Sequence, residues 1–597
     1  MCYPLPSHAN IYISDKGKGR LDMKKRQLCS ALMILVLMFL SAACHSSNQE
    51  TSGSNAAANT GKNPANSSVE EAGSKNSSKI TDPIVNDPGV FPICKEKTDI
   101  HVGVVQSMQV EDYETNWLTQ QMEEFTNMNL VFSVFPFKDA KQKLEIQINS
   151  GTELPEILTG FGLDDMEILN YGSQEVFLSL NDYIEDLGVE VQDAFSRVKA
   201  RDLKGLITSA DGNIYYLPKY TEQMGDQFSQ RQWINQNWLD KLKLEMPTTT
   251  DEFTDILKAF RDRDPNGNGK KDEIPYTGGQ NWQGSSADAM MNAFIYDDAA
   301  TVNVKPRWLL KDGKLDVPYN KPEWKAGLEY ANMLVKEGLL SPLCFTQDDE
   351  QLTKLLENGE ESTVGVYTGG NFFFGPKNER KLEYKPLPPL TGPEGVCYTA
   401  YYPSLPNSYF IITKDAKHPE AAFRFGDAMM SKDFALKNRF GEPGVDWKEP
   451  GPNDKGLYED LGFKPIVVPI LPWGSIQNKH WEGGLNVVME MGIQDGMAVN
   501  VDDPLYGELF IAEAVPFYID HGPEEYVDII KYTADETEQI KDIQTSLVTY
   551  VNESMARFIT GDLDLDTQWK SYLKELEKIG LQELLEVSQT AYDRTHK

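Results

Sequence analysis

The sequence predicts an α/β protein built on a mostly parallel sheet, and three observations carry that prediction. From about Asp99 onward, short β-branched runs alternate with stretches of helical spacing, the order that lays helices on the faces of a parallel sheet. The chain has 597 residues, enough for several large units at ~150 residues each. Hydrophobic residues make up 40% and charged residues 25% of it, which excludes collagen-like, wholly disordered and multi-span membrane chains.

The elements follow in order. Ile100, Val102, Val104 and Val105 form a first strand. Leu118, Met122 and Phe125 then fall on one face of a helix over Trp117–Met128. Leu130–Phe135 returns to strand, Lys138–Ile148 to helix, and Pro155–Leu158 to strand again. Ligands of such sheets sit beyond the carboxyl ends of the strands, so Gln106–Asn116 and Thr159–Asp164 are candidate ligand walls. After Asn213–Pro218 a second unit begins. Thr249 and Glu252 form a capping box ahead of a helix whose stripe is Phe253, Ile256, Leu257 and Phe260. A helix runs from Pro322 to a stop at Gly338, with Trp324, Leu328, Ala331 and Leu334 inward. Val364–Tyr367 and Ser408–Thr413 read as strands, a helix starts at Pro419, and Thr533–Ala591 reads as mostly helical.

The N-terminus carries an export signal. Met23-Lys24-Lys25-Arg26 is a basic start, Leu28–Leu40 is apolar, and Ser41-Ala42-Ala43-Cys44 ends in small residues. The apolar run is too short to span a bilayer, which takes ~20 residues. Residues 1–44 therefore read as a signal peptide, with 1–22 a misassigned extension ahead of Met23. The segment resembles a bacterial lipobox, which implies lipidation of Cys44, although Ser41 stands where that pattern has Leu. Residues 45–95 follow as a Ser/Asn/Gly-rich tether, whose first ~45 residues reach ~35–40 Å. Net charge is −34, a surface that repels phosphate backbones and argues against nucleic acid as a partner. Six cysteines in this length make no disulfide scaffold.

One loop advertises a cation. In Asp264-Pro265-Asn266-Gly267-Asn268-Gly269-Lys270-Lys271-Asp272-Glu273, oxygen-bearing side chains recur at alternate positions with Gly where the backbone turns tightly. Asp264, Asn266 and Asn268 would offer side-chain oxygens, Lys270 its carbonyl, and Asp272 and Glu273 carboxylates, for a structural Ca²⁺. An EF-hand has its bidentate Glu at position 12, where Pro275 stands, so this is a variant closed early by Glu273; the bland alternative is an Asn-Gly turn. No metalloprotease, Cys-x-x-Cys, nucleophile-elbow or Walker pattern is present, and the chain reads as non-catalytic. Loop aromatics beside Gly, Pro or Asn are candidates to stack on sugar rings: Trp282, Trp447, Trp473, Tyr220, Tyr367, Tyr401 and Tyr402. Arg231 and Trp233 join them as residues expected to face a cleft, while Trp238, Trp308, Trp324 and Trp569 are assigned to structure.

Cys44, Gly212–Pro218, Arg231-Gln232-Trp233, Met246-Pro247-Thr248-Thr249, the Asp-Pro-Asn-Gly-Asn-Gly loop, Thr413-Lys414-Asp415, His418–Ala422, Gly444-Val445-Asp446-Trp447 and Phe558–Gly561 occur in order. Together they resemble the large lipoprotein branch of extracellular solute-binding protein family 1, the capturing subunits of Gram-positive carbohydrate ABC importers. The resemblance implies a two-lobed periplasmic-binding-protein-like fold with a hinge and an interlobe cleft. The first lobe would hold 96–218 and 407–500, the second 219–406 and 501–597. It also implies an oligosaccharide ligand, a membrane permease as partner, a lipid anchor at the outer face of the cell membrane, and a monomer. A secreted glycosidase or lyase and a sugar-sensing or adhesion lipoprotein are the rival readings.

Overall fold

Strands pair both parallel and antiparallel, so the sheet predicted as mostly parallel is mixed. β1 (Thr98–Val105), β2 (Met128–Phe135), β3 (Ile157–Leu163) and β4 (Leu217–Thr221) come first, followed by β5 (Gln232–Asn235) and β6 (Ile274–Thr277). A hairpin of β7 (Leu309–Lys311) and β8 (Lys314–Asp316) precedes β9 (Val364–Thr368), β10 (Tyr384–Leu387) and β11 (Asn407–Ile412). A two-residue ribbon of β12 (Trp447–Lys448) and β13 (Val468–Pro469) precedes β14 (Val487–Met489). This computed structural model describes residues 80–596 apart from 281–282, 299–305, 371–374, 453, 472–474, 482–483 and 499–506. Of the two units into which the chain divides, Met1–Lys75 lies outside the described residues, as does Cys44, and Asn76–Lys597 holds everything below.

The strands make two principal sheets. One has six strands in the order β14-β4-β11-β3-β1-β2, the other four in the order β10-β5-β9-β6. In the first, β1 runs parallel to β2 and β3, β14 runs parallel to β4, and β11 runs antiparallel to both neighbours, β3 and β4. This is a two-lobed α/β architecture, one sheet to a lobe. Between Thr221 and Gln232 the chain passes from the first sheet to the second, between Leu387 and Asn407 it returns, and after Met489 it leaves again.

Local chemistry sets the helix ends that matter here. α1 (Trp117–Thr126) starts at Asn116, whose side chain accepts from the Leu118 amide, and stops at left-handed Asn127. α2 (Ala140–Ser150) ends on Gly151, also left-handed, and α3 (Asp165–Ser173) opens with an Asp164–Glu167 capping box. The box expected at Thr249 and Glu252 heads the helix Thr250–Asp262. Helices Ala534–Thr560, Leu565–Ile579 and Leu581–His596 fill the predicted C-terminal stretch.

Two large cores result. One gathers Val102, Val104, Leu118, Ile157, Leu217, Phe410, Phe423 and Trp481. The other gathers Trp238, Phe253, Leu257, Tyr276, Trp324, Leu328 and, from the C-terminal helices, Leu547, Phe558 and Leu584. Residues 80–95, expected to continue the tether, are folded instead. Val85, Ile93 and Cys94 are buried in the first core, and Arg424 holds the carbonyls of Asn86 and Asp87 at 2.8 and 2.9 Å. Three apolar side chains and a buried guanidinium suffice to dock a segment whose composition reads as polar.

Candidate functional site

A cavity of about 390 Å³ lies between the lobes. The first lobe contributes Gly162 at the carboxyl end of β3 and Asp164, Asp165 and Met166 at the start of α3. That is where a parallel sheet presents its ligands, and it matches the predicted Thr159–Asp164 wall. The second lobe contributes Tyr296, Asp298, Trp308 and Gln544, and the returning crossover contributes Tyr401, Tyr402 and Pro403. The extended segment from Tyr526 to Tyr532 completes the wall. The other predicted wall, Gln106–Asn116, pairs instead with the Gln477 region: the Glu111 amide donates to the Gln477 carbonyl at 3.1 Å, and the Gln477 amide to the Gln109 carbonyl at 2.8 Å.

Aromatic rings set the character of this cavity. Tyr401 meets Tyr526 edge-on with centroids 4.9 Å apart, and Phe228 supports Tyr401 from behind at 5.4 Å. Tyr296 is braced by Tyr398 at 5.8 Å and donates to the Tyr401 carbonyl at 3.5 Å. Burial raises the phenols of Tyr296, Tyr401 and Tyr402, so all three stay neutral donors at any physiological pH. Rigid rings with a hydroxyl at one end suit a guest that has apolar C–H faces and polar rims.

The same wall ties the lobes together. Arg201 of the first lobe is paired with Asp528, and the Lys531 ammonium donates to the carbonyls of Gly205 and Thr208 at the end of a short first-lobe helix. Meanwhile Val527, Ile530 and Tyr532 pack on the second core. The segment is thus both cavity wall and interlobe strap. Burial lowers the Lys531 pKa, with Asp165, Asp202 and Asp528 pulling the other way.

The predicted contact residues separate sharply. Tyr402 lines the cavity, as does its neighbour Tyr401. Tyr220 lies in β4 with its hydroxyl 2.8 Å from Glu222 and no exposed surface. Tyr367 lies in β9, packed on Trp233 at 6.4 Å and on Tyr384 at 5.0 Å. Trp233 donates to the Gly369 carbonyl at 2.8 Å. Arg231 donates to the carbonyls of Gly225 and Gly370 and is 1% exposed. These four belong to the interior: β5 and β9 are buried along their whole length and Arg231 stands just ahead of β5, which their flanking sequence did not reveal. Trp447 is half-buried in the β12–β13 ribbon and donates to the Gly441 carbonyl at 3.0 Å, away from the cavity. Trp282 and Trp473 lie outside the described residues. Trp308, assigned to structure, is buried in the second core and also borders the cavity, and Tyr296 and Tyr526 line it unforeseen. Two signals pointed to the place: the loop after β3 from Thr159 to Asp164, and the Tyr401-Tyr402 pair ahead of a proline.

The candidate cation loop winds as its glycines require, with Gly267 and Gly269 both left-handed. Asp264 accepts from the amides of Gly267 and Gly269 at 2.9 and 3.1 Å, and the amides of Asn266 and Asn268 point at Asp272. Glu273 keeps a buried Oε1 without a partner, and burial raises its carboxyl pKa. Among the described residues no three His, Cys, Asp or Glu side chains converge as a metal site.

The family model for the bacterial extracellular solute-binding protein matches residues 109–435. The fructooligosaccharide ABC transporter substrate-binding protein FusA of Streptococcus pneumoniae is 26% identical over 530 residues, covering 84% of this chain and 91% of that protein. The polygalacturonan/rhamnogalacturonan-binding protein YtcQ of Bacillus subtilis is 22% identical over 489 residues, covering 79% and 87%. An EF-hand mutant of FusA in complex with fructo-nystose superposes with a TM-score of 0.68 at 24% identity, covering 83% of this chain and 99% of that one. An HMO-binding solute-binding protein of Bifidobacterium longum infantis superposes with a TM-score of 0.70 at 20% identity, covering 84% and 100%.

Proposed function

The chain belongs to the bacterial extracellular solute-binding proteins, and from that premise we propose that it captures an oligosaccharide between its lobes for an ABC importer. The observation that carries this reading is the interlobe cavity walled by Tyr296, Trp308, Tyr401, Tyr402 and Tyr526. Sugar rings lie against these aromatic faces while phenols, Asp165, Asp298 and Gln544 meet the hydroxyls. Both lobes touch the guest only when shut, so binding energy shifts the hinge toward closure. The Arg201–Asp528 pair and Lys531 strap belong to that shut form. A membrane permease then reads the shut form and takes the sugar unchanged; the protein acts as a monomer and cleaves nothing. Lipid on Cys44, followed by the tether, holds the folded part at the outer face of the membrane.

The loop from Asp264 to Glu273 is read as a structural Ca²⁺ site. Its donor types suit a hard cation, and the unpartnered Glu273 oxygen is the kind of atom a cation would satisfy. An EF-hand in FusA supports the reading. Asp264, Asn266, Asn268, the Lys270 carbonyl, Asp272 and Glu273 would hold the ion, which would pin the loop after the helix Thr250–Asp262. Chelation should lower the melting temperature of the wild type and leave that of Asp264→Ala unchanged; equal responses would remove the ion from the account.

Titration calorimetry against neutral and acidic oligosaccharides, with small-angle scattering on the best ligand, tests the function. At least one sugar should release heat, contract the molecule and come back from the incubation uncleaved. Heat from peptides alone, or shortened sugars, would overturn it.

A further inference from the structure

Residues 526–532 close a second, smaller space beside the large cavity. A void of about 20 Å³ separates this segment from the first lobe, with Met166, Leu169 and Leu206 on one side and Ile530, Lys531 and Tyr532 on the other. Met166, Ile530 and Tyr532 line the large cavity as well. At this wall the large cavity cannot widen unless the tighter contact beside it parts too.

The segment is fastened to the second lobe. Tyr532 and Ser588 share a hydrogen bond of 2.7 Å, Arg594 donates to the Lys531 carbonyl at 3.0 Å, and the His596 ring stands 3.3 Å from Asp528. All three partners lie on the C-terminal helix Leu581–His596. The helices on either side, Gly507–Tyr518 and Ala534–Thr560, also pack in second-lobe clusters, so the segment is not itself a chain crossing between lobes.

Charge carries its grip on the first lobe. Arg201 is paired with Asp528, the two side chains only 12% and 23% exposed, so water and salt screen the attraction less than at an open surface. The Lys531 ammonium donates to the carbonyls of Gly205 and Thr208 at the C-terminal end of the helix Leu203–Ile207, where the helix dipole favours a cation. Neither Arg201 nor Lys531 is among the described residues that line the large cavity.

Resting on the reading of this molecule as a two-lobed sugar receptor, we propose that Arg201 and Lys531 are positioning residues that set affinity from outside the site, by latching the shut form. A guest that binds the shut form has its apparent affinity scaled by the fraction of molecules that are shut. A latch that raises this fraction tightens binding and slows release without touching the sugar.

Scattering and calorimetry on the intact chain, as wild type, Arg201→Gln and Lys531→Met, decide it. Without sugar, both variants should show a larger radius of gyration than wild type. The tightest binder among kestose, maltotriose and trigalacturonate should bind each variant about fivefold more weakly, mainly through faster release, and at saturation should return both to the wild-type radius. Arg201→Lys, which keeps the charge, should recover most of the affinity. A residue that only braced the fold would lower the melting temperature and leave the sugar-free radius alone. A sugar-free radius or an affinity that neither variant changes overturns the latch and leaves sugar capture intact. Far-UV circular dichroism reports on folding. Should both variants misfold, wild type carries the test: high salt should enlarge its sugar-free radius by screening the Arg201–Asp528 pair, and a constant radius overturns the latch. Heat from none of the three sugars, with heat from peptides, overturns sugar capture, and the sugar-free radii still decide the latch.

Discussion

Two sets of aromatic side chains in this molecule are alike in composition and opposite in use. Trp233, Tyr367, Tyr384 and Phe510 form a cluster under the four-stranded sheet; of these, Trp233 and Tyr367 have no exposed surface. Tyr296, Trp308, Tyr401 and Tyr526 stand around a cavity between the lobes, the three tyrosines braced by other rings. In the first set Trp233, Tyr367 and Tyr384 sit on strands of one sheet, two of those strands buried along their whole length, and Phe510 sits on the helix Gly507–Tyr518. In the second set Tyr401 and Tyr526 sit on segments that join one body to another, where no sheet covers them. On the proposed reading, a ring packed within one lobe serves stability, and a ring left facing the space between lobes is free to serve recognition.

The comparison is broken most forcefully at Trp233. Trp233→Ala should cost about 3–5 kcal/mol of stability, the usual penalty for emptying a buried aromatic site, while the folded fraction keeps its sugar affinity. Denaturation and calorimetry on the same preparation separate the two. Loss of affinity without loss of stability would place Trp233 in recognition and dissolve the distinction.

A titrating interior residue sharpens it. Burial, followed by the nearby Arg439, pushes the His480 imidazole down to about 3 from its ordinary 6.5. The folded state therefore binds fewer protons than the unfolded one between these values, so stability falls as pH drops through that window. Between pH 7 and pH 5 this group should cost about 2 kcal/mol, and His480→Asn should lose that much less than wild type over the same interval. Parallel melting curves of the two proteins at pH 7 and 5 measure it; identical pH dependence would mean that the imidazole protonates in the fold.

The smallest effect belongs to the cavity. Tyr401→Ala should weaken binding of the preferred oligosaccharide by about tenfold, roughly 1–1.5 kcal/mol, through loss of a stacking face. Its melting temperature without sugar should change less than that of Trp233→Ala, because only part of the ring is buried. Unaltered affinity would move the sugar out of this cavity.

Much of the fold was legible. Periodicity alone located β1, α1, β2, α2 and β3, and the Thr249–Glu252 box marked its helix to the residue. These signals are local: a hydrogen-bonded turn or an alternating strand is specified by neighbours a few positions away. The docking of residues 80–95 was not legible, because it depends on Arg424, more than 300 positions along the chain. Among proposed contacts, Tyr402 was reached from its loop position, while Tyr220, Tyr367, Arg231 and Trp233 went inward. A Gly or Pro neighbour signals a turn but says nothing of which side of the turn the other lobe occupies.

The sequence by itself determined the order of strands and helices, the glycines of the Asp264–Glu273 loop, and the membership in a binding-protein family that its scattered motifs announce. Those depend on short-range backbone preferences and on residues that can be recognised one at a time. Only the tertiary structure decided that Asp165 and Trp308 share a cavity and that residues 526–532 wall it while strapping one lobe to the other. A surface made by two bodies exists only after both have folded and met, and no local rule along the chain encodes their meeting.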